Sequence, residues 1–454
     1  IMSNQSRYIA YFTMEIAIEA EMRTYSGGLG VLAGDTARSA ADLGIPFVVV
    51  SLLYRKGYFR QSLDQDGVQH EHLAEWKIEE FLEETPAKTI IELEGREIFI
   101  RAYKYELKGH HGFVVPLYFL DTDLEENDER ARGITQQLYA GDSAYRLCQE
   151  AVLGIGGVRV LRELGYHNIE RFHMNEGHAS LLTIELLDER LKGEQRSTIT
   201  SADVDALREQ CVFTTHTPVE AGHDRFSQGQ LEAILGKHDA FKTQHGFCAD
   251  GVCNMTHLGF NMSDFVNGVA KKHGQVSREM FDGYSIDSIT NGIHVATFAC
   301  PPIRDLFDKY IPNWRDDNFS LRYAMGIPHH ELWEAHLNAK QQLLAFVKNR
   351  TGVELDQSLL TIGFARRATP YKRADLIFSD MERLKEIVSN GGKFQLIYAG
   401  KAHPKDEEGK NIIRRVVAAK KELQDYIPIV YLENYDLEIG KLITSGVDIW
   451  LNTP

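Results

Sequence analysis

From residue 359 onward, apolar runs of five or six residues alternate with amphipathic helical stretches in a fixed order. A strand over 359–364 precedes a helix over 374–389, and a strand over 394–399 precedes a helix over 407–424. A strand over 427–432 then precedes a helix over 437–444, and 447–451 is a further strand. Strand–helix–strand units of this kind place their strands parallel in one sheet, with right-handed crossovers. The predicted fold class is therefore α/β, a doubly wound sheet whose ligands sit beyond the carboxyl ends of the strands. A long amphipathic helix over 328–350, closed by Thr351-Gly352, marks the domain boundary. It divides the chain into an N-terminal α/β domain over 1–350 and a C-terminal Rossmann-like domain over 351–454.

The N-terminal part shows the same grammar less regularly. Residues 8–14 (YIAYFTM) and 47–53 (FVVVSLL) read as buried strands, the second continuous enough for a parallel strand covered on both faces. Residues 89–107 read as a hairpin around Glu94-Gly95. Between the first two strands lies Tyr25-Ser26-Gly27-Gly28-Leu29-Gly30-Val31-Leu32-Ala33-Gly34-Asp35, with a helix expected over 36–43. Glycines entering a helix let a ligand approach the free N–H groups closely, which suits an anion or a polar oxygen. A tight structural turn accounts for the same residues. The stretch also fits a dinucleotide fingerprint, G-x-G-x-x-A, but that needs a strand directly before it, and the nearest ends well upstream. Further on, Gly154, Gly156 and Gly157 interrupt a helical pattern over 139–165, which calls for close packing on that face.

The formal net charge of −15 over 454 residues disfavours nucleic acid and anionic membrane as partners. No apolar run approaches the ~20 residues of a membrane span, and no signal peptide precedes the first strand. Cys148, Cys211, Cys248, Cys253 and Cys300 are sparse and odd in number, which predicts reduced thiols and a cytoplasmic protein. His245, Cys248, Cys253 and His257 admit a zinc site, although the spacing is looser than in familiar zinc motifs; two buried thiols near surface histidines is the default.

Four polar sets fall at or just past predicted strand ends. They are Asn175/Glu176/His178, His216/Asp224, Arg366/Arg367/Tyr371/Lys372/Arg373 and Lys401/His403. The third is the most specific. Its cations crowd a strand-to-helix turn in an acidic chain, where they oppose the helix dipole and need a reason. A bound phosphate supplies one, with arginine as a bidentate fork and lysine as a point charge. A solvated basic helix start is the bland alternative, and a lone loop histidine is usually only polar surface.

These residues carry a resemblance. The chain resembles the α-glucan (glycogen, starch, maltodextrin) phosphorylases, in their short bacterial and archaeal form. The likeness runs from Tyr11-Phe12-Thr13-Met14-Glu15 through the glycine stretch and Leu53-Tyr54-Arg55-Lys56-Gly57-Tyr58-Phe59-Arg60-Gln61. It continues through Leu153–Arg159, Thr215-His216-Thr217-Pro218, Asn267-Gly268-Val269, Thr290-Asn291-Gly292-Ile293, Arg366–Arg373 and Ala399-Gly400-Lys401-Ala402-His403-Pro404, and ends at Leu432-Glu433-Asn434-Tyr435.

The resemblance implies two Rossmann-like domains of the glycosyltransferase-B type with the site in a cleft, the second domain incomplete here. It implies phosphorolysis of a terminal α-1,4 bond, giving α-glucose 1-phosphate with retention. The partners implied are an α-1,4-glucan or maltodextrin, inorganic phosphate and a second copy in a homodimer. By motif, Gly28 offers its N–H to the substrate phosphate, and Arg367 and Lys372 hold that phosphate. His216 and Asn291 bind the glucosyl unit, with Glu176 and His178 beside it. The implied cofactor is pyridoxal 5′-phosphate, with Arg366 and Tyr435 near its phosphate. The family anchors that cofactor through a lysine in a segment expected just after Asn452-Thr453-Pro454, and no lysine of this chain matches it. The chain is therefore expected to be a truncated phosphorylase. A nucleotide-sugar-dependent synthase-like transferase shares the glycine loop and basic cluster, but carries a lysine where Tyr25-Ser26 stand. A non-catalytic glucan-binding fragment is the reading from outside the enzymes.

Overall fold

The run Phe47–Leu52 is buried at every position and forms the middle of a sheet covered on both sides. In the computed structural model, residues 8–216, 223–242, 247–281 and 283–453 are described. Their strands are, in chain order, β1 (Tyr8–Thr13), β2 (Phe47–Leu52), β3 (Arg60–Leu63), β4 (Gln69–His72), β5 (Glu83–Leu93), β6 (Arg96–Lys108) and β7 (Val114–Asp121). Next come β8 (Ile169–Asn175), β9 (Cys211–Thr215), β10 (Arg225–Ser227), β11 (Cys248–Ala249), β12 (Val252–Asn254), β13 (Phe265–Gly268) and β14 (Asp287–Ser288). The last are β15 (Leu360–Ala365), β16 (Phe394–Ala399), β17 (Ile429–Leu432) and β18 (Ile449–Trp450).

Contacts divide the chain into two units, Ile1–Tyr58 with Glu75–Ile293, and Phe59–Ala74 with His294–Pro454. The first holds a nine-stranded sheet in the order β14-β13-β9-β8-β1-β2-β7-β6-β5. It is parallel from β14 to β7, and β6 and β5 extend it as the antiparallel hairpin expected from the sequence. Side chains alternate across a strand, so β2 feeds two cores. Val48 and Val50 join Phe12 and Leu120 on one side. Val49 joins Tyr11, Phe119, Ala33 and Ala37 on the other.

The glycine-rich stretch differs from its expectation. The helix begins at Gly28 and runs to Asp42, so most of these glycines are helical and none has a positive φ. Close packing is what Gly30 and Gly34 supply. A Cβ on Gly34 would stand 2.0 Å from the Ala17 carbonyl oxygen, and one on Gly30 would stand 2.6 Å from the Tyr25 Cβ. The expected close packing of the later glycines is met: a Cβ on Gly154 would meet the Leu182 nitrogen at 2.5 Å, and one on Gly157 the Phe12 ring at 2.7 Å. They lie in and beside a π-helical turn, Val152–Gly156, between helices Ser143–Ala151 and Gly157–Glu163.

The second unit contains a parallel sheet in the order β17-β16-β15-β18, with a core on each face. Helix His329–Thr351 ends at Gly352 in the left-handed conformation, φ 73°. This helix does not mark the boundary expected at 350–351. It packs in the second unit, where Leu343 fills the space a Cβ on Gly446 would need. Its buried Lys340 donates to Asp448 and to the Leu359 carbonyl, both at 2.7 Å. The helix expected over 374–389 runs Met381–Asn390, because Asp380 caps its start by accepting from the Arg383 N–H.

The β3–β4 hairpin is the departure the sequence does not announce. Two buried glutamines fix it to the second unit. Gln61 Nε2 donates to Gly400 O at 3.1 Å, and Gln61 N and Oε1 pair with Asn434 Oδ1 and N at 3.1 and 2.9 Å. Gln69 makes the matching pair with Ala402, donating to its carbonyl at 3.0 Å and accepting from its N–H at 2.9 Å.

Candidate active site

At the carboxyl ends of β1, β8 and β9 the first unit collects buried polar groups. Glu15, just past β1, is 2% exposed. Its carboxylate accepts from Ser26 N at 2.6 Å, Gly27 N at 3.1 Å and the Tyr139 hydroxyl at 2.7 Å. Burial raises its pKa against the pull of those donors. A carboxylate thus occupies the amides leading into helix Gly28–Asp42, where the helix dipole favours negative charge. The next N–H groups, of Gly28 and Leu29, have no acceptor among the described residues. Gly27 and Gly28 have open space where a Cβ would stand. These two are the glycines that the fold itself does not require.

The β8 end carries Asn175-Glu176-Gly177-His178. Glu176 adopts φ 73°, ψ 171°, a region that favours glycine and costs a non-glycine residue about 1–3 kcal/mol. That backbone turn aims its carboxylate at β9, where it accepts from His216 N at 2.6 Å and Thr215 Oγ1 at 3.3 Å. Asn175 donates to Thr13 Oγ1 at 3.1 Å. Asn175 Oδ1, His178 Nδ1 and His216 Nε2 are buried and have no hydrogen-bond partner among the described residues. Burial first, then neighbouring cationic and histidine groups, lowers both histidines to about 3, so both are neutral at pH 7. His178 Nε2 stands 3.4 Å from Asp224, which Arg146 meets at 3.2 Å. Three unsatisfied polar atoms on neutral side chains suit a ligand rich in hydroxyls. Asn291 is exposed, with its N–H on the Val269 carbonyl at 2.9 Å.

In the second unit, the loop after β15 carries Arg366, Arg367, Lys372 and Arg373. Burial and then the charges of Arg366 and Arg367 push the Lys372 pKa down. Three cations therefore sit within each other's fields. No carboxylate pairs with Arg366, Arg367 or Lys372 among the described residues; Arg366 instead donates to Asn452 Oδ1 at 2.6 Å. Thr453 ties the loop by donating to the carbonyls of Lys372 and Arg373. His403 is lowered by burial and by Arg367, which puts it on the same side. Lys401 donates to the Phe59 carbonyl at 2.9 Å and so serves the hairpin. Tyr435 is partly buried against Gly440, where a Cβ would stand 2.7 Å from its hydroxyl. Tyr371 is exposed.

Two sequence expectations change here. Cys248 and Cys253 are bonded as a disulfide across the β11–β12 pair, so neither is a free thiol or a zinc ligand. The reason is register, which places the two residues directly opposite each other. His257 meets Tyr284 at 3.2 Å, and His245 lies outside the described residues. Sequence reasoning also passed over Glu15, Tyr139, Arg146 and Glu150. The available signal was an acid set in an apolar context, Met14-Glu15-Ile16-Ala17, and Glu150 three residues after Leu147 on the apolar helix face.

No helix of the described residues is long and apolar enough to cross a membrane. Residues 247–451 match the family model for carbohydrate phosphorylases. The chain is 38% identical to the maltodextrin phosphorylase of Thermococcus litoralis and 35% identical to the glycogen phosphorylase of Mycobacterium tuberculosis, each over 98% of this chain. It spans 57% of the length of either relative. It is 33% identical to the glycogen phosphorylase of Aquifex aeolicus, over 100% of this chain and 72% of that protein. With near-complete coverage at that identity, the chain belongs to the carbohydrate phosphorylase family.

Proposed function

We propose that the protein is an α-1,4-glucan phosphorylase, transferring the terminal glucosyl unit of a maltodextrin to inorganic phosphate with retention. The observation that carries this reading is the unpaired cation cluster Arg366, Arg367 and Lys372 in a chain of net charge −15. A dianionic substrate gives those charges a reason, and the neutral buried acceptors and donors of the first unit suit glucosyl hydroxyls.

In this reading Arg367 grips the phosphate as a fork and Lys372 holds it as a point charge, while Gly28 offers its N–H. His216 and Asn291 orient the glucosyl ring, with Glu176 fixing the His216 backbone and His178 facing a hydroxyl. As the bond to the leaving sugar breaks, positive charge grows on the glucosyl carbon, and donors already in place stabilise the nearby phosphate without reorganising. The chain's carboxylates serve as hydrogen-bond acceptors here, not as nucleophiles.

Pyridoxal 5′-phosphate belongs to the same reading. Arg366 lacks an anionic partner among the described residues and fits its phosphate end, with Tyr435 assigned to the same end by motif. The two lysines of the shared motifs do not fit its aldehyde end: Lys401 is committed to Phe59, and Lys372 to the cation cluster. When bound, the cofactor would supply a phosphate group able to take part in proton transfer. A homodimer and a cytosolic location complete the proposal; the Cys248–Cys253 bond is at most 1% exposed, out of reach of thiol reductants.

The test is glucose 1-phosphate release from maltodextrin plus phosphate by the full-length protein, with Arg367→Ala beside it. Loss of the bidentate contact is expected to cost about 2–4 kcal/mol in kcat/KM. No release by the wild type, or an unchanged phosphate dependence in the variant, rejects the assignment.

A further inference from the structure

We propose that Glu150 is a positioning residue that keeps its proton and, through Asp224, fixes His178 in the tautomer whose Nδ1 accepts a hydroxyl hydrogen bond. The inference deepens the glucan reading and rests on it for the identity of the hydroxyl.

Glu150 lies on helix Ser143–Ala151 and is 0% exposed; its carboxyl faces Asp224 and Arg146, and neither of its oxygens is in a well-aligned hydrogen bond among the described residues. Its neighbours come from every side. Arg146, one turn earlier, brings Nε to 3.3 Å of Glu150 and a guanidinium nitrogen to 3.2 Å of Asp224. Tyr139 lies under that guanidinium, 4.8 Å from ring centre to Cζ, and its hydroxyl donates a hydrogen bond to Glu15. Tyr54 feels the charge of both Arg146 and Glu15, while His178 feels Arg146, Asp224 and His223.

Counting charge decides the protonation. Among the described residues the group holds one cation, Arg146, and two carboxyls, Asp224 and Glu150. Two anions against one buried cation leave an uncompensated buried charge, which costs far more than keeping one proton. Asp224 faces both Arg146 and His178 and is partly open, so it takes the negative charge. Glu150, wholly enclosed, keeps the proton; burial and the facing Asp224 both raise its pKa well above the carboxylate range. With the Asp224 carboxylate pinned between Arg146 and the Glu150 acid, His178 presents Nε2–H to it across 3.4 Å. A neutral imidazole with its proton on Nε2 has only a lone pair on Nδ1. That Nδ1 is the buried atom without a partner, so the pocket offers an acceptor there and selects a neutral hydroxyl donor over an anion.

The experiment compares the full-length wild type with Glu150→Gln and Glu150→Met. Nitrogen-15 histidine spectra, assigned with His178→Asn, are expected to show His178 neutral with Nε2–H from pH 8 to pH 5. The infrared band of a protonated carboxylic acid is expected in the wild type and lost in Glu150→Gln, whose amide preserves the donor to Asp224 and the tautomer. Glu150→Met is expected to populate the Nδ1–H tautomer and to raise the KM for maltodextrin at least tenfold, with the KM for phosphate unchanged. A missing acid band, an Nδ1–H tautomer in the wild type, or Glu150→Gln behaving as Glu150→Met overturns the proposal. If Glu150→Met does not fold, the band and the wild-type tautomer still decide it. If no variant and no wild type turns over maltodextrin, the phosphorylase reading falls, while the spectra judge Glu150 separately.

Discussion

Gly28 and Gly34 sit six residues apart on one helix and call for opposite outcomes on mutation to alanine. Inside a helix, Gly→Ala gains about 1 kcal/mol when nothing obstructs the methyl group. At Gly34 the Ala17 carbonyl oxygen occupies that position, 2.0 Å from the Cβ, against the ~3.5 Å of an ordinary contact. The segment cannot swing away freely, because Ala17 N also donates to Gly30 O at 2.8 Å. Overpacking of this kind costs about 1–3 kcal/mol, and a clash with backbone lies at the upper end. Gly34→Ala is therefore expected to lose about 2 kcal/mol net and to lower the Tm by about 4–8 °C. At Gly28 no atom lies within 4 Å of the new methyl group, so Gly28→Ala is expected to melt within about 1–2 °C of the wild type. On the proposed reading that phosphate binds the open N–H groups, its methyl group would obstruct that approach, and a tenfold rise in the phosphate KM, about 1.4 kcal/mol, is expected. Thermal unfolding and initial rates against phosphate concentration read the two effects separately. Wild-type melting in Gly34→Ala, or wild-type phosphate dependence in Gly28→Ala, refutes the division between packing and ligand glycines.

Gln61→Ala leaves the Asn434 N–H without its side-chain acceptor, while the Gly400 carbonyl keeps the Tyr431 hydroxyl, and is expected to cost about 1–3 kcal/mol, with faster hydrogen exchange confined first to 60–72. Reducing Cys248–Cys253 opens a loop of sequence separation 5 and is expected to cost about 2 kcal/mol, read as a fall in Tm with a strong reductant in partly denaturing buffer. His178 and His216, held neutral to about pH 3, bind fewer protons folded than unfolded between pH 3 and pH 6.5. Their contribution is thus complete above pH 6.5 and is lost as pH falls through that window, which urea titrations at stepped pH, with His178→Asn as reference, detect. Lys372 also has a lowered pKa, so phosphate affinity is expected to fall with rising pH earlier than in a variant with Arg at that position, measured by calorimetry.

Strand positions were legible wherever an apolar run was continuous: 394–399 is read to the residue, because both faces of β16 are buried. The cation cluster was legible because four basic side chains within eight residues of an acidic chain need a counter-charge, although the helix start expected beside them lies at Met381. The start of helix Gly28–Asp42 was not, since glycine is a poor helix former and its use there answers to Ala17 and Tyr25, contacts invisible in local sequence. Glu15 and Glu150 take on a role only when their partners, Ser26, Tyr139 and Asp224, are brought to them by the fold. The division into units escaped for a related reason. The glutamines that assign the hairpin to the second unit find their partners more than 300 residues away.

That hairpin also dictates how the protein can be taken apart. The chain passes between the units three times, at 58–59, 74–75 and 293–294, so no single cut separates them. A fragment beginning at His294 would carry Ala402 and the Asn434 N–H with vacant backbone groups, whereas residues 59–74 added as a separate peptide bring back the partners of both. The second unit is thus a natural case for fragment complementation, in which sixteen residues from early in the sequence act as a removable strut for a fold encoded near its end.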